Sequence, residues 1–235
     1  DYRDIEPEFG DLAEADAMIT EAHRLGLKVI LDIVPNHTSD RHRFFQEALA
    51  AAPGSAVRDR YYFRPGRGDH GALPPNDWRS TFGGPAWTRT TSADGTPGEW
   101  YLHLFTPGQP DVNWENAEIR AEFEDTLRFW FDRGVAGFRV DVMWHLIKDD
   151  QFRNNPMNPD YDGSHPYRRL IPIYQEDRPE VADVVALMRG VADEYDDRVL
   201  IGEVYLPLDR LVAYYGRDGR GIHLPFNFQL LTEPW

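Results

Sequence analysis

Three times the chain runs from a helical pattern into a short apolar strand that carries a carboxylate at or near its end. The strands are Lys28-Val-Ile-Leu-Asp-Ile-Val34, Ala136-Gly-Phe-Arg-Val-Asp141 and Arg198-Val-Leu-Ile-Gly-Glu203. Helix–strand alternation of this kind builds a parallel sheet with right-handed crossovers. Such sheets carry their chemistry at the C-terminal edge, and packing gives no reason to put acids there. Asp32, Asp141 and Glu203 are therefore expected to wall one active site.

The periodicity fills in the rest. Residues 11–25 read as a helix, with Leu12, Ala15, Met18, Ile19 and Ala22 three or four apart and Gly26 as the stop. The run 27–34 is almost continuously apolar, which predicts a strand buried on both faces. Residues 116–133 form a second helix, with Asn116 as N-cap and Gly134 as C-cap. A third helix spans 180–195, and a fourth strand is expected within 222–228. Between the first strand and the second helix lies a stretch rich in Pro, Gly, Trp and Arg, about 38–108. It holds only a short helix near 41–52 and an alternating strand near 99–105. An irregular segment this long is usually functional or a small inserted domain. It is read as an excursion from the end of the first strand, and a second irregular loop covers 149–179.

Composition excludes more than it identifies. A length of 235 residues, 41% hydrophobic and 28% charged, suits a globular enzyme. The net charge of −15 argues against a nucleic-acid partner, whose phosphates need a basic face. No apolar run approaches the roughly 18 to 20 residues of a membrane span. With no cysteine there are no disulfides or thiolate metal sites, which permits a reducing, cytoplasmic location. The chain starts without Met on a polar loop, which suggests a piece of a longer protein. Only about four parallel strands are expected where a closed barrel needs eight, which points the same way.

The chemistry concentrates at the strand ends. Residues two apart on a strand share a face, so Arg139 and Asp141 point together while Phe138 and Val140 face the outer helices. A guanidinium beside a carboxylate favours its charged form, as a nucleophile requires, although a buried ion pair closing the barrel interior would look the same. Glu203 follows four apolar or glycine residues with no basic neighbour, so desolvation is expected to raise its pKa toward that of a general acid. A capping or loop salt-bridge role is the alternative. On neighbouring strands about 4.8 Å apart, the two carboxyls would approach the roughly 5 to 5.5 Å of a retaining glycosidase. His37 is read as a neutral donor to a substrate hydroxyl. A metal site shared with His42 fits no usual ligand spacing. Trp78, Phe82, Trp87, Trp100, Tyr101 and Phe105 can stack on sugars, but core packing explains most of them.

Asp32-Ile-Val-Pro-Asn-His37, Gly137-Phe-Arg-Val-Asp141 and Gly202-Glu203 resemble, in order, strand motifs of the α-amylase family (family 13 glycoside hydrolases). Gln109-Pro-Asp-Val-Asn-Trp114 resembles the mark of its α-glucosidase and oligo-1,6-glucosidase branch. Asn76-Asp-Trp-Arg-Ser-Thr-Phe-Gly-Gly-Pro-Ala-Trp87 and His223-Leu-Pro-Phe-Asn-Phe228 are similar to segments of bacterial α-glucosidases. The resemblance covers essentially the whole chain. It implies an α/β fold, a partial (β/α)8 TIM barrel of about strands 3 to 6, with a domain B insertion after the third strand. The barrel would take residues 1–37 and 109–235, and domain B 38–108.

By resemblance, Asp141 is the nucleophile and Glu203 the acid/base. Arg139 holds the nucleophile, His37 binds the glucose at the cleaved position, and Phe105 lines that pocket. Asp32 and Asn36 are structural near the site, which demotes the first reading of Asp32. The family's third carboxylate, in a His-Asp pair on the seventh strand, has no counterpart here, so the piece alone is expected to be inactive. No metal or cofactor is expected among these residues; the family's calcium loops would lie N-terminal to them. Trp144 replaces the Lys that endo-acting amylases carry three residues after the nucleophile, and Val142 resembles branches that accept α-1,6 bonds. The implied activity is an exo-acting, retaining α-glucosidase on short α-gluco-oligosaccharides or disaccharides. A transglycosylating relative, such as a sucrose isomerase or trehalose synthase, is the first rival, and a non-catalytic amylase-like scaffold the second. Nothing in the sequence sets an oligomeric state.

Overall fold

The structure, a computed structural model, describes residues 1–92, 94–164 and 166–232. The last three residues of the expected barrel segment lie outside the described residues. In chain order the helices and strands are α1 (Leu12–Arg24), β1 (Ile30–Ile33), α2 (Arg43–Ala50), β2 (Phe63–Arg64), β3 (Trp87–Thr91), β4 (Pro97–Leu102), α3 (Ala117–Asp132), β5 (Gly137–Val140), α4 (Val181–Ala192), β6 (Val199–Gly202), α5 (Leu208–Leu211), β7 (Leu224–Pro225) and α6 (Gln229–Thr232). They divide into two compact units, one of residues 1–35, 120–144 and 179–235, the other of 36–119 and 145–178.

The first unit is built on a parallel sheet in the order β1-β5-β6-β7. Two of its helices are delivered to their strands by the same device. Asp11 and Glu14 close a capping box at the start of α1. At its end Gly26 takes φ +76°, Gly26 N–H bonds His23 O at 2.9 Å, and Leu27 N–H reaches back to Ala22 O at 2.9 Å. Asn116 Oδ1 accepts the Glu118 and Ile119 amides at the start of α3. At the end of α3, Gly134 at φ +93° lets Val135 N–H reach Trp130 O at 3.1 Å. These are Schellman stops, which need a left-handed residue that glycine supplies without strain. Each puts the chain into a strand within a few residues. The core lies between helices and sheet: Ile19, Phe123, Leu127, Phe131, Val184 and Met188 against Ile33, Phe138, Val140 and Leu200, all buried. Phe138 meets Phe131 edge-on at 5.0 Å, so the outward face of β5 is the one expected.

The expectation that the first strand is buried on both faces is corrected. Ile30 is 41% exposed and Leu27 60%, and only Ile33 of β1 is buried. Among the described residues β1 ends the sheet and pairs with β5, and an apolar run does not by itself report what covers it. The fourth strand is also shorter than expected, two residues within 222–228.

The second unit carries a three-stranded antiparallel sheet in the order β2-β4-β3. β3 was not expected from the sequence. Tyr62, Trp78, Ala86, Trp87, Leu102 and Leu104 form its core, with Phe152 and Tyr174 packed against them. Trp78 and Trp87 are thus core residues, whereas Phe82 is exposed. Trp78 Nε1 donates to Arg153 O at 2.9 Å and Asn76 Nδ2 to Phe152 O at 3.1 Å, so the 145–178 segment is sewn to the insertion through backbone carbonyls. The buried Arg58 pairs with Glu99 and donates to the Ala48, Leu49 and Ala51 carbonyls that end α2, which accounts for one of the segment's many arginines.

Candidate active site

In the first unit four charged groups meet at the C-terminal edge of the sheet. The register sets Asp32 opposite Arg139 and Val140 opposite Gly202, so Asp141 and Glu203 follow on the next rung. The ladder continues one step beyond the strands: Asp141 N–H donates to Ile33 O and Glu203 N–H to Val140 O, both at 2.9 Å. Because the side-chain period is two, Arg139, Asp141 and Glu203 then share one face. Arg139 donates to both Asp32 oxygens at 2.9 and 3.1 Å, is hydrogen-bonded to Asp141, and sits 2.8 Å from Glu203. One guanidinium serves three carboxylates. Asp32 is the most exposed of them.

The environments of the two inner carboxyls differ. Burial is the largest influence on Glu203 and raises its pKa; the charge of Asp141 and a hydrogen bond with it push the same way. The Val142 N–H, which donates to Glu203 Oε2 at 3.0 Å, and Arg139 oppose this without reversing it. The desolvation was legible in the apolar run before Glu203, but the contact with Arg139 was not, because it crosses strands.

Val142 supplies its N–H from a strained backbone, φ +37° on a β-branched residue. Such a conformation costs about 1–3 kcal/mol and persists where the surroundings impose it. Truncation to alanine or glycine removes nearly the same buried side chain, but only glycine relieves the strain. Val142→Gly is therefore expected to be more stable than Val142→Ala by about 1 kcal/mol in urea unfolding, the reverse of the usual ranking. A more stable alanine variant would contradict the strain. Beyond Glu203, Tyr205 stacks on Phe228 at 4.0 Å and meets Trp144 edge-on at 5.6 Å, leaving a half-exposed aromatic surface.

In the second unit His37 and Asp111 pair as an isolated β-bridge, which ties the Asn-His and Gln-Pro-Asp motifs together. Phe105 lies 5.1 Å from the His37 ring and meets the buried His145 edge-on at 5.9 Å. His37 Nε2 is 3.0 Å from Gln109 Nε2, and His37 Nδ1 is 3.3 Å from Asn36 Nδ2. His42 is spent elsewhere: its Nδ1 accepts the Phe44 amide at the start of α2. Among the described residues no group of three or more His, Cys, Asp or Glu is placed to hold a metal ion.

Sequence reading missed Lys148. Its ammonium is fully buried: it donates to Asn36 Oδ1 at 2.7 Å and to the His145 carbonyl, and it is ion-paired with the equally buried Asp111 at 2.8 Å. Burial lowers the Lys148 pKa, against the pull of Asp111. A lysine following the buried run Met143–Ile147 was the available signal, but nothing in the sequence names its partners. Lys148→Met strands the Asp111 charge and is expected to cost about 3–5 kcal/mol by denaturant titration. Adding Asp111→Asn should recover part of that loss. A single-variant cost below about 1 kcal/mol would mean that the pair is not an isolated buried ion pair.

Comparison with known proteins agrees with these motifs. The model described as alpha amylase, catalytic domain, matches residues 1–233. The alpha-glucosidase of Culex pipiens is 40% identical over 241 residues, covering 99% of this chain and 40% of its own. Maltase 1 of Drosophila virilis is 39% identical over 243 residues, covering 99% and 38%. The crystal structure of the alpha-glucosyl transfer enzyme XgtA superposes with a TM-score of 0.88 at 35% identity, over all of this chain and 44% of that one. The chain spans about two fifths of the length of the curated relatives it matches. It belongs to the alpha-amylase catalytic-domain family, of which its four-stranded parallel sheet is a part of the α/β barrel.

Proposed function

We propose that the chain carries the reacting carboxylates of a retaining, exo-acting α-glucosidase that releases glucose from short α-glucosides. The observation that carries this reading is the divided environment of two carboxyls on neighbouring strands: Asp141 bound to Arg139, and Glu203 raised in pKa by burial. In the first step the ionised Asp141 attacks the anomeric carbon while Glu203 gives its proton to the departing glycosidic oxygen. The Glu203 carboxylate so formed is received by Arg139 and the Val142 N–H, which already face it. In the second step Glu203 takes a proton from water, the water oxygen attacks the anomeric carbon, and Asp141 departs. Two displacements restore the α configuration.

His37 and Phe105 are proposed as substrate-binding residues, His37 as a donor to a sugar hydroxyl. The partner is a neutral oligosaccharide or disaccharide, and the domains are proposed as 38–108 for the insertion and the remainder for the barrel. No helix of the described residues is long and apolar enough to cross a membrane; a cytoplasmic location is proposed, which a cysteine-free composition permits. The similarity to a glucosyl transfer enzyme favours one second reading, transfer of the glucosyl group to another sugar instead of water. Product analysis on maltose, isomaltose and sucrose separates the two, using the chain within a protein of its relatives' full length. Free glucose as the main product supports hydrolysis; isomeric disaccharides without free glucose would overturn it.

A further inference from the structure

The groups around His37 form a directed chain. A buried ammonium can only donate, so Lys148 fixes the oxygen of the Asn36 amide toward itself. The other end of that amide, Nδ2, then faces His37 Nδ1 and can also only donate. His37 Nδ1 must accept, and in a neutral ring the proton is left on Nε2. Gln109 faces Nε2 from the other side with its own NH2 group, which also donates. The two amides demand opposite tautomers, and they are not equally free to turn. Turning Asn36 would press an NH2 group against a buried cation and forfeit a charge-assisted bond. Turning Gln109 keeps its 2.9 Å contact with the Thr106 hydroxyl, which can accept as well as donate, and gives up only a 3.3 Å bond from the exposed Thr106 amide.

We infer that Lys148 is a positioning residue that acts through Asn36 to hold His37 as the Nε2–H tautomer, with Gln109 turned to accept from it until a substrate hydroxyl does. The substrate half of this statement rests on the proposed glucosidase reading; the tautomer half does not. Phe105 packs on the ring and the bridge to Asp111 holds its backbone, so the ring cannot exchange its nitrogens freely.

Long-range proton–nitrogen correlation on the full-length protein, labelled at its histidines, reads the tautomer directly, with His37 assigned by loss of its signals in His37→Gln. The unprotonated nitrogen should be Nδ1. Asn36→Asp keeps an acceptor for Lys148 but turns an acceptor toward Nδ1, so Nδ1 should gain the proton and kcat/KM on maltose should fall about tenfold to hundredfold. A protonated Nδ1 in the wild type, which needs no variant to observe, would overturn the proposal, as would a bare Nδ1 in Asn36→Asp. A switched tautomer with unchanged kcat/KM would refute the positioning role. An intact tautomer pattern in a protein that hydrolyses no glucoside would instead count against the function.

Discussion

Asp141→Ala is expected to lower kcat on maltose by about 10⁴-fold or more while leaving the fold in place. The loss follows from removing the only group proposed to bond the anomeric carbon. The fold survives because Arg139 keeps two of its three carboxylate partners, Asp32 and Glu203. The two consequences separate a nucleophile from a structural ion pair. A structural partner would lower the unfolding midpoint and spare kcat. Azide added to the variant should restore turnover and yield the inverted β-glucosyl azide, since an external anion then attacks once from the vacated face. There is a further effect on the neighbour. The Asp141 charge contributes to the raised pKa of Glu203, so a neutral residue at 141 should bring that pKa down.

Glu203→Gln is expected to show the second large effect, a loss of about 10²- to 10⁴-fold on substrates whose leaving group needs a proton. Glucosides with an acidic phenol as leaving group should lose far less in the first step. The pH dependence has a definite sign. Glu203 must be protonated when the glycosidic bond breaks, and its pKa is raised, mainly by burial. Activity should therefore persist above the ordinary carboxylate range and fall as pH rises through the pKa of Glu203. In Glu203→Gln that basic limb of the kcat/KM profile should vanish. A limb that stays in place would assign it to another group.

Much of the first unit was legible because its signals are local. Asp11, Gly26, Asn116 and Gly134 are caps whose chemistry depends on a few neighbouring residues, and the helix boundaries agreed with them. The alternation of Arg139 and Asp141 needs only the strand period, and both are found on one ion-paired face. What failed was not local. The apolar run before Asp32 does not say whether anything flanks β1. The pairing of β3 with β4 was hidden because Trp-Thr-Arg-Thr-Thr has neither a clean alternation nor a tight two-residue turn. The contacts of Glu203 with Arg139 and with the Val142 amide cross between strands, and the positive φ of Val142 contradicts its side chain's own preference. Lys148 is the clearest case. A lysine is ordinarily surface, and only the assembled partners Asn36, Asp111 and the His145 carbonyl explain one that is wholly buried.

The central claim is that Asp141 forms the covalent bond to glucose and Glu203 manages the proton. Trapping with a 5-fluoro-α-glucosyl fluoride, which slows the second displacement more than the first, tests it most directly in a protein carrying this chain at its relatives' full length. Peptide mass spectrometry of the trapped enzyme should place one fluoroglucosyl group on Asp141. A label on any other residue, or hydrolysis of an unmodified substrate that releases β-glucose first, would contradict the assignment.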